Sequence, residues 1–180
     1  MIIGVLDIQG DVSEHMDMVK ASGEAPKRVR RVDDMKDISG LIIPGGESTM
    51  IGPYMKLRGI DKYIIEKNTP IMGTCAGLIV TSKEVIGGNT YIPLFKIKVS
   101  RNAYGRQRES FETDIDIKGI GNFRGVFIRA PVIEEVYSGD ILSYYNGKPV
   151  MVKDGKNLGM TFHPEIYGDP RIHQLFINGL

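Results

Sequence analysis

The chain has 180 residues, 42% of them hydrophobic, and no linker-like stretch, which suits one domain over residues 1–180 with a substantial buried core. Its 23 Lys and Arg nearly balance 22 Asp and Glu, and the net charge of +1 excludes a broad field for nucleic acid or an anionic membrane. The apolar start, Met1 to Ile8, is interrupted by Asp7 and too short to span a bilayer, and a single cysteine without a zinc-site cluster fits a reducing, cytoplasmic setting.

Ile2 to Ile8 reads as a strand buried on both faces, ended by Gln9-Gly10. A helix follows. Asp11 precedes Glu14 at capping-box spacing, and Gly23 is a C-terminal stop. Further strands are expected at Val29 to Val32, Leu41 to Pro44 and Ile71-Met72, with helices at Thr49 to Leu57 and Asp61 to Lys67; Pro53 should shorten or break the first of these helices. This alternation predicts an α/β fold, flavodoxin-like, with a mostly parallel sheet and helices on both faces. Ligands of such folds lie at the carboxyl ends of strands.

The second half adds short strands at Lys96 to Ser100, Phe111 to Ile117, Gly125 to Ile128, Ile141 to Tyr145 and Val150 to Val152, largely antiparallel. Asn146-Gly147 and Asp154-Gly155 read as hairpin turns. Leu158 to Phe162 then leads to His163, and Pro170 to Asn178 is a closing helix.

Gly73-Thr74-Cys75-Ala76-Gly77 lies between a strand and an apolar helical run, the setting of a nucleophile elbow. The elbow puts a thiol at a helix N-terminus, where the dipole favours thiolate and free N–H groups can hold an oxyanion. A lone cysteine is otherwise a small buried hydrophobe. His163-Pro164-Glu165 shifts the balance: in extended chain the imidazole and carboxylate share one side, so Glu165 can fix the His163 tautomer and His163 can serve Cys75.

Pro44-Gly45-Gly46-Glu47-Ser48-Thr49 also joins a strand to a helix; it is neither a Walker loop nor a dinucleotide fingerprint, and Gly46 is a candidate oxyanion donor beside Ala76. A free amino acid needs partners for its α-carboxylate and α-ammonium, so arginine and glutamate anchors would help. Arg106 and Arg108 read as solvated, the run Lys27, Arg28, Arg30 and Arg31 as a solvated strand edge, and His15 and His173 carry no catalytic assignment. No metal site is expected.

With Gly45 to Thr49, Gly73 to Gly77 and His163 to Glu165 in order, the chain resembles a class I glutamine amidotransferase. Leu6 to Gly10 with Glu14-His15, Arg101-Asn102 with Tyr104 to Gln107, Ser110 to Glu112 and Gly125 to Pro131 narrow the likeness to the PdxT family, the glutaminase subunits of pyridoxal 5′-phosphate synthase. The resemblance implies Cys75 as nucleophile with His163 and Glu165, and Gly46, Glu47, Ser48, Arg101, the Ile128 backbone and Arg129 as the glutamine-binding set. It implies that ammonia from L-glutamine passes to a (β/α)8-barrel synthase subunit, so that pyridoxal phosphate is a product and this chain needs no cofactor. Gln9 and Gly10 match the family's first loop, which faces the synthase and helps organise the oxyanion site. Asp7, Asp11 and Ser13 depart from the small or basic residues usual there.

The rivals are a PfpI-type cysteine hydrolase, against which a C-terminal His-Pro-Glu argues; an amidotransferase feeding nucleotide or histidine synthesis; and a glutamine-sensing module in which Cys75 is inert.

Overall fold

The computed structural model describes residues 1–101 and 110–180. The first half alternates β1 (Ile2–Leu6), α1 (Val12–Ala21), β2 (Ala25–Val29), a 3₁₀ turn (Val32–Met35), β3 (Gly40–Ile43), α2 (Ser48–Leu57), α3 (Ile60–Lys67), β4 (Ile71–Thr74) and α4 (Ala76–Thr81). The second half is strand-rich: β5 (Ser82–Ile86), β6 (Phe95–Ser100), β7 (Phe111–Ile117), β8 (Gly121–Phe127), β9 (Val132–Val136), β10 (Asp140–Tyr145), β11 (Lys148–Asp154) and β12 (Asn157–Met160), then α5 (Arg171–Ile177).

Seven strands form the main sheet in the order β10-β11-β12-β4-β3-β1-β2. From β12 to β2 every pairing is parallel, while β10, β11 and β12 pair antiparallel. Strand alternation splits the core between the two faces. Ile3, Val5, Ile42 and Met72 pack with Val12 and Val19 of α1 and Ile172 and Phe176 of α5. Leu6, Leu41, Ile43 and Ile71 pack with Ile51, Met55, Ile60, Ile64 and Val80 of the helices opposite. The first strands read as continuous apolar runs because both of their faces are covered. Two smaller sheets, β5-β6-β9 and the β7-β8 hairpin, complete the fold. No helix among the described residues is long and apolar enough to cross a membrane.

Several sequence expectations are corrected. The second strand is Ala25–Val29, not Val29 to Val32, and the latter segment leads into the 3₁₀ turn. Pro26 lies inside β2, which is tolerated because β2 is an edge strand. Its basic residues are paired: Arg28 and Arg30 meet Asp7, Lys27 meets Asp37 and Arg31 meets Asp34. Helix α2 runs unbroken through Pro53, losing one backbone donor but anchored by buried Ile51 and Met55 on either side. β1 ends at Leu6 and β12 at Met160, each earlier than its apolar run. Strands β5 and β9 were not anticipated, since Ser82–Ile86 and Val132–Val136 carry exposed charged positions that blur their pattern.

The Asn146-Gly147 turn closes β10 on β11 with both residues at positive φ, 47° and 75°. The next hairpin turns on Gly155-Lys156, one residue later than expected, because Asp154 pairs with Asn157. Arg106 and Arg108, with Asn102, Tyr104, Gly105 and Gln107, lie outside the described residues.

Candidate functional site

Four chain segments leave the carboxyl ends of adjacent parallel strands and meet: Gln9 to Asp11 after β1, Gly45 to Ser48 after β3, Cys75 after β4, and His163 to Glu165 after β12. They border a cleft of ≈ 290 Å³ lined by Gly10, Asp11, Gly45 to Ser48, Cys75, Arg101, Ile128, Arg129 and His163, with Ile79 and Pro131. This is where a doubly wound sheet is expected to bind its ligand.

Cys75 is the N-cap of α4 at φ 48°, ψ −103°, a backbone region strained for a side-chain-bearing residue. Packing enforces the turn. A Cβ at Gly77 would lie 2.0 Å from the Ile43 carbonyl oxygen, so only glycine lets α4 press against β3. The Cys75 N–H donates to the Met160 carbonyl at 2.9 Å, tying the elbow to β12, and the thiol lies 3.8 Å from the Ile128 carbonyl oxygen. Ala76 opens the helix, so its N–H has no intrahelical acceptor.

His163 is positioned by a backbone bond to the Val126 carbonyl, 2.8 Å, and its ring lies against Gly45, where a Cβ would be 2.4 Å from Cε1. Its Nδ1 is 2.8 Å from Glu165 Oε1. Glu165 reaches that nitrogen from a turn rather than from extended chain. The expected pairing is therefore present by another local route. Burial lowers the pKa of His163, but the Asp11 carboxylate, Cys75 and the hydrogen-bonded Glu165 carboxylate beside the ring outweigh it and push the value up to about 12. Glu165 is raised by its own burial, which the His163 contact only partly offsets.

Behind Glu165 stands a layer that the sequence left without a role. His15 Nε2 lies 3.4 Å from Glu165 Oε2 and 3.4 Å from Thr74 Oγ1, and its Nδ1 is 2.9 Å from His173 Nε2. Burial holds both histidines neutral, His15 well below the usual range and His173 down to about 3. The buried His173 Nδ1 has no partner among the described residues, which favours the tautomer in which it bears no proton. His173 Nε2–H then donates to His15 Nδ1, and His15 Nε2–H is left for Thr74 Oγ1, while Glu165 Oε2, 3.4 Å from the same nitrogen, takes no hydrogen bond among the described residues. The contacts join residues 158 positions apart, so no local signal could have revealed them.

The candidate binding residues share the cleft but are less committed. Arg129 Nη2 lies 3.4 Å from Glu47 Oε1, Arg101 donates to the Gly87 carbonyl at 3.2 Å, and Ser48 is buried at the start of α2. Gln9 does not line the cleft; its Oε1 accepts from the Glu47 N–H at 3.3 Å and so steadies the Gly46 loop. Asp11, by contrast, is a cleft residue, its Oδ2 3.3 Å from His163 Nδ1. One atom each of Asp11, His163 and Glu165 lie within 4.8 Å of one another; His163 Nδ1 donates its N–H to the Glu165 carboxylate and so has no lone pair for a metal.

The model of the SNO glutamine amidotransferase family matches residues 5–180. The chain is 50% identical to the pyridoxal 5′-phosphate synthase subunit PdxT of Thermoplasma acidophilum, covering 99% of this chain and 92% of that protein. It is 47% identical to the PdxT subunit of Methanocaldococcus jannaschii, covering 98% and 97% respectively. A crystal structure of a glutamine amidotransferase superposes with a TM-score of 0.93 at 40% identity, over 99% of this chain and 98% of that one. With the match running almost end to end, this chain belongs to the SNO glutamine amidotransferase family.

Proposed function

We propose that the chain, acting as one amidotransferase domain, hydrolyses L-glutamine to L-glutamate and ammonia through Cys75, His163 and Glu165, and supplies the ammonia to the synthase subunit of a pyridoxal 5′-phosphate synthase. The observation that carries the chemistry is the convergence of a strained helix-capping cysteine with a histidine whose Nδ1 is held 2.8 Å from a buried carboxylate. The names of the PdxT relatives support the pathway.

In this reading the Cys75 thiolate adds to the side-chain amide carbon of glutamine, and the N–H groups of Gly46 and Ala76 receive the oxyanion. His163, protonated on the cleft side, gives a proton to the departing nitrogen, which leaves as ammonia and a thioester remains. Water, deprotonated by His163, then cleaves the thioester and releases glutamate. Glu47 and Arg129 pair across the cleft and are the natural partners of the α-ammonium and α-carboxylate, with Arg101, Ser48 and the Ile128 carbonyl around them. Pyridoxal phosphate is the product of the assembly, formed on a (β/α)8-barrel partner, and the complex works in the cytoplasm.

The test is glutamate release by the purified chain, alone and mixed with a pyridoxal phosphate synthase barrel subunit. Hydrolysis stimulated by the barrel subunit is the expected result. Stoichiometric glutamine binding without turnover in the mixture would overturn the reading in favour of a sensing module.

A further inference from the structure

Asp11 stands at the N-cap of α1, three residues before Glu14, where an aspartate ordinarily accepts a backbone N–H of the first turn. It makes no such bond. Its carboxylate turns away from the helix and into the cleft, with Oδ2 3.3 Å from His163 Nδ1. Glu165 Oε1 takes the hydrogen bond of the same nitrogen at 2.8 Å, so two carboxylates from segments far apart in the chain meet one ring nitrogen, Glu165 as its acceptor and Asp11 as a charge beside it. The fold holds the first of these in place. Gly10 sits at φ 88°, and a Cβ there would meet the Gly45 carbonyl oxygen at 2.0 Å, so the turn carrying Asp11 is pressed onto the loop that also borders His163.

We propose that Asp11 is a positioning residue for glutamine turnover, a second carboxylate set beside Nδ1 of His163 that acts with Glu165 to keep the ring charged and aimed across the cleft. The proposal rests on the assignment of Cys75, His163 and Glu165. The two carboxylates differ in a way that gives Asp11 its own part. Glu165 is buried and backed by His15, whereas the Asp11 side chain is 37% exposed, so water and a bound substrate reach it. The groups facing His163 are Asp11 from the start of α1, Cys75 from the cap of α4, Glu165 from its own turn, and His15 from within α1. His15 is held neutral by burial, which leaves the two carboxylates and Cys75 to set the charge on the ring. Asp11 is itself lowered, chiefly by the His163 ring beside it.

Asp11→Asn separates this role from simple helix capping, because asparagine caps a helix as well as aspartate and has the same shape. Two measurements decide. The first follows the His163 ring by NMR through a pH titration of the purified chain. The second is the pH profile of glutamine hydrolysis by the complex with its synthase subunit, with Cys75→Ala alongside. In Asp11→Asn the His163 transition should move to a proton concentration at least about tenfold higher, and kcat should fall about tenfold with little change in KM. An unmoved His163 transition and an unchanged profile, with Cys75→Ala inactive, would make Asp11 a surface carboxylate and overturn the proposal. If Cys75→Ala stayed active, the assignment of the nucleophile would fail instead, and the His163 titration would still decide whether Asp11 holds the ring. Asp11→Ser, which also caps, gives the same readings should the asparagine variant fold poorly.

Discussion

On one wall of the cleft Cys75 and His163, with Glu165 behind them, are only 7%, 5% and 2% exposed, and each is fixed from behind by a backbone bond, a close glycine contact or a buried histidine. On the other wall Glu47 and Arg129 face each other with about half of each side chain in solvent, 47% and 55%, and Arg101 rests on a backbone carbonyl. Under the proposed glutaminase reading the contrast separates two tasks. Groups that must meet a reacting atom within a few tenths of an ångström are over-determined by the core before substrate arrives. Groups that recognise a free amino acid are held loosely on one another and exchange those contacts for the ligand's charges, at small cost, since an exposed ion pair contributes only ~0–1 kcal/mol.

The comparison breaks most sharply at Cys75. Cys75→Ala should reduce glutamine turnover at least about a thousandfold while glutamine still binds, measured by glutamate release and by calorimetry. Glu165→Gln tests the support behind His163. It leaves His163 Nδ1 facing a neutral amide, and kcat should fall about a hundredfold or more in steady-state assays with little change in KM. Arg129→Ala probes the opposite wall: KM should rise roughly tenfold and kcat should hold, since the lost contact serves ground state and transition state alike. A kcat collapse in Arg129→Ala would erase the division between the walls.

The smallest effect is on stability. His15 and His173 titrate below their unfolded value of ~6.5, so the unfolded chain binds protons first and stability falls as pH drops from ~6.5 toward the folded value of about 3 for His173. His163 acts in the other direction. Its folded value of about 12 keeps its contribution complete below ~6.5, and that contribution is lost as pH rises toward 12. Thermal melts across pH should peak near ~6.5 and fall on either side. His173→Phe should flatten only the acid limb.

Much of the α/β half was legible because doubly covered strands must be apolar throughout, as in Ile2–Leu6 and Gly40–Ile43, and because turns declare themselves through glycine. The strands that escaped notice, β5 and β9, pair in a small sheet whose outer positions face water, so no clean alternation marks them. Asp11 is the instructive failure. Its spacing to Glu14 is that of a capping box, yet the side chain turns to a tertiary partner instead, so the local capping rule fails here.

The order of the Gly45-Gly46, Cys75 and His163-Pro164-Glu165 segments, each at a strand end, was enough to nominate the reacting groups, because close turns and small residues are written locally. Which groups stand behind them was decided only in three dimensions. The His173–His15–Glu165 chain and the second carboxylate on His163 join α1, α5 and the segment after β12, contacts that exist because a parallel sheet brings the ends of distant strands to one edge.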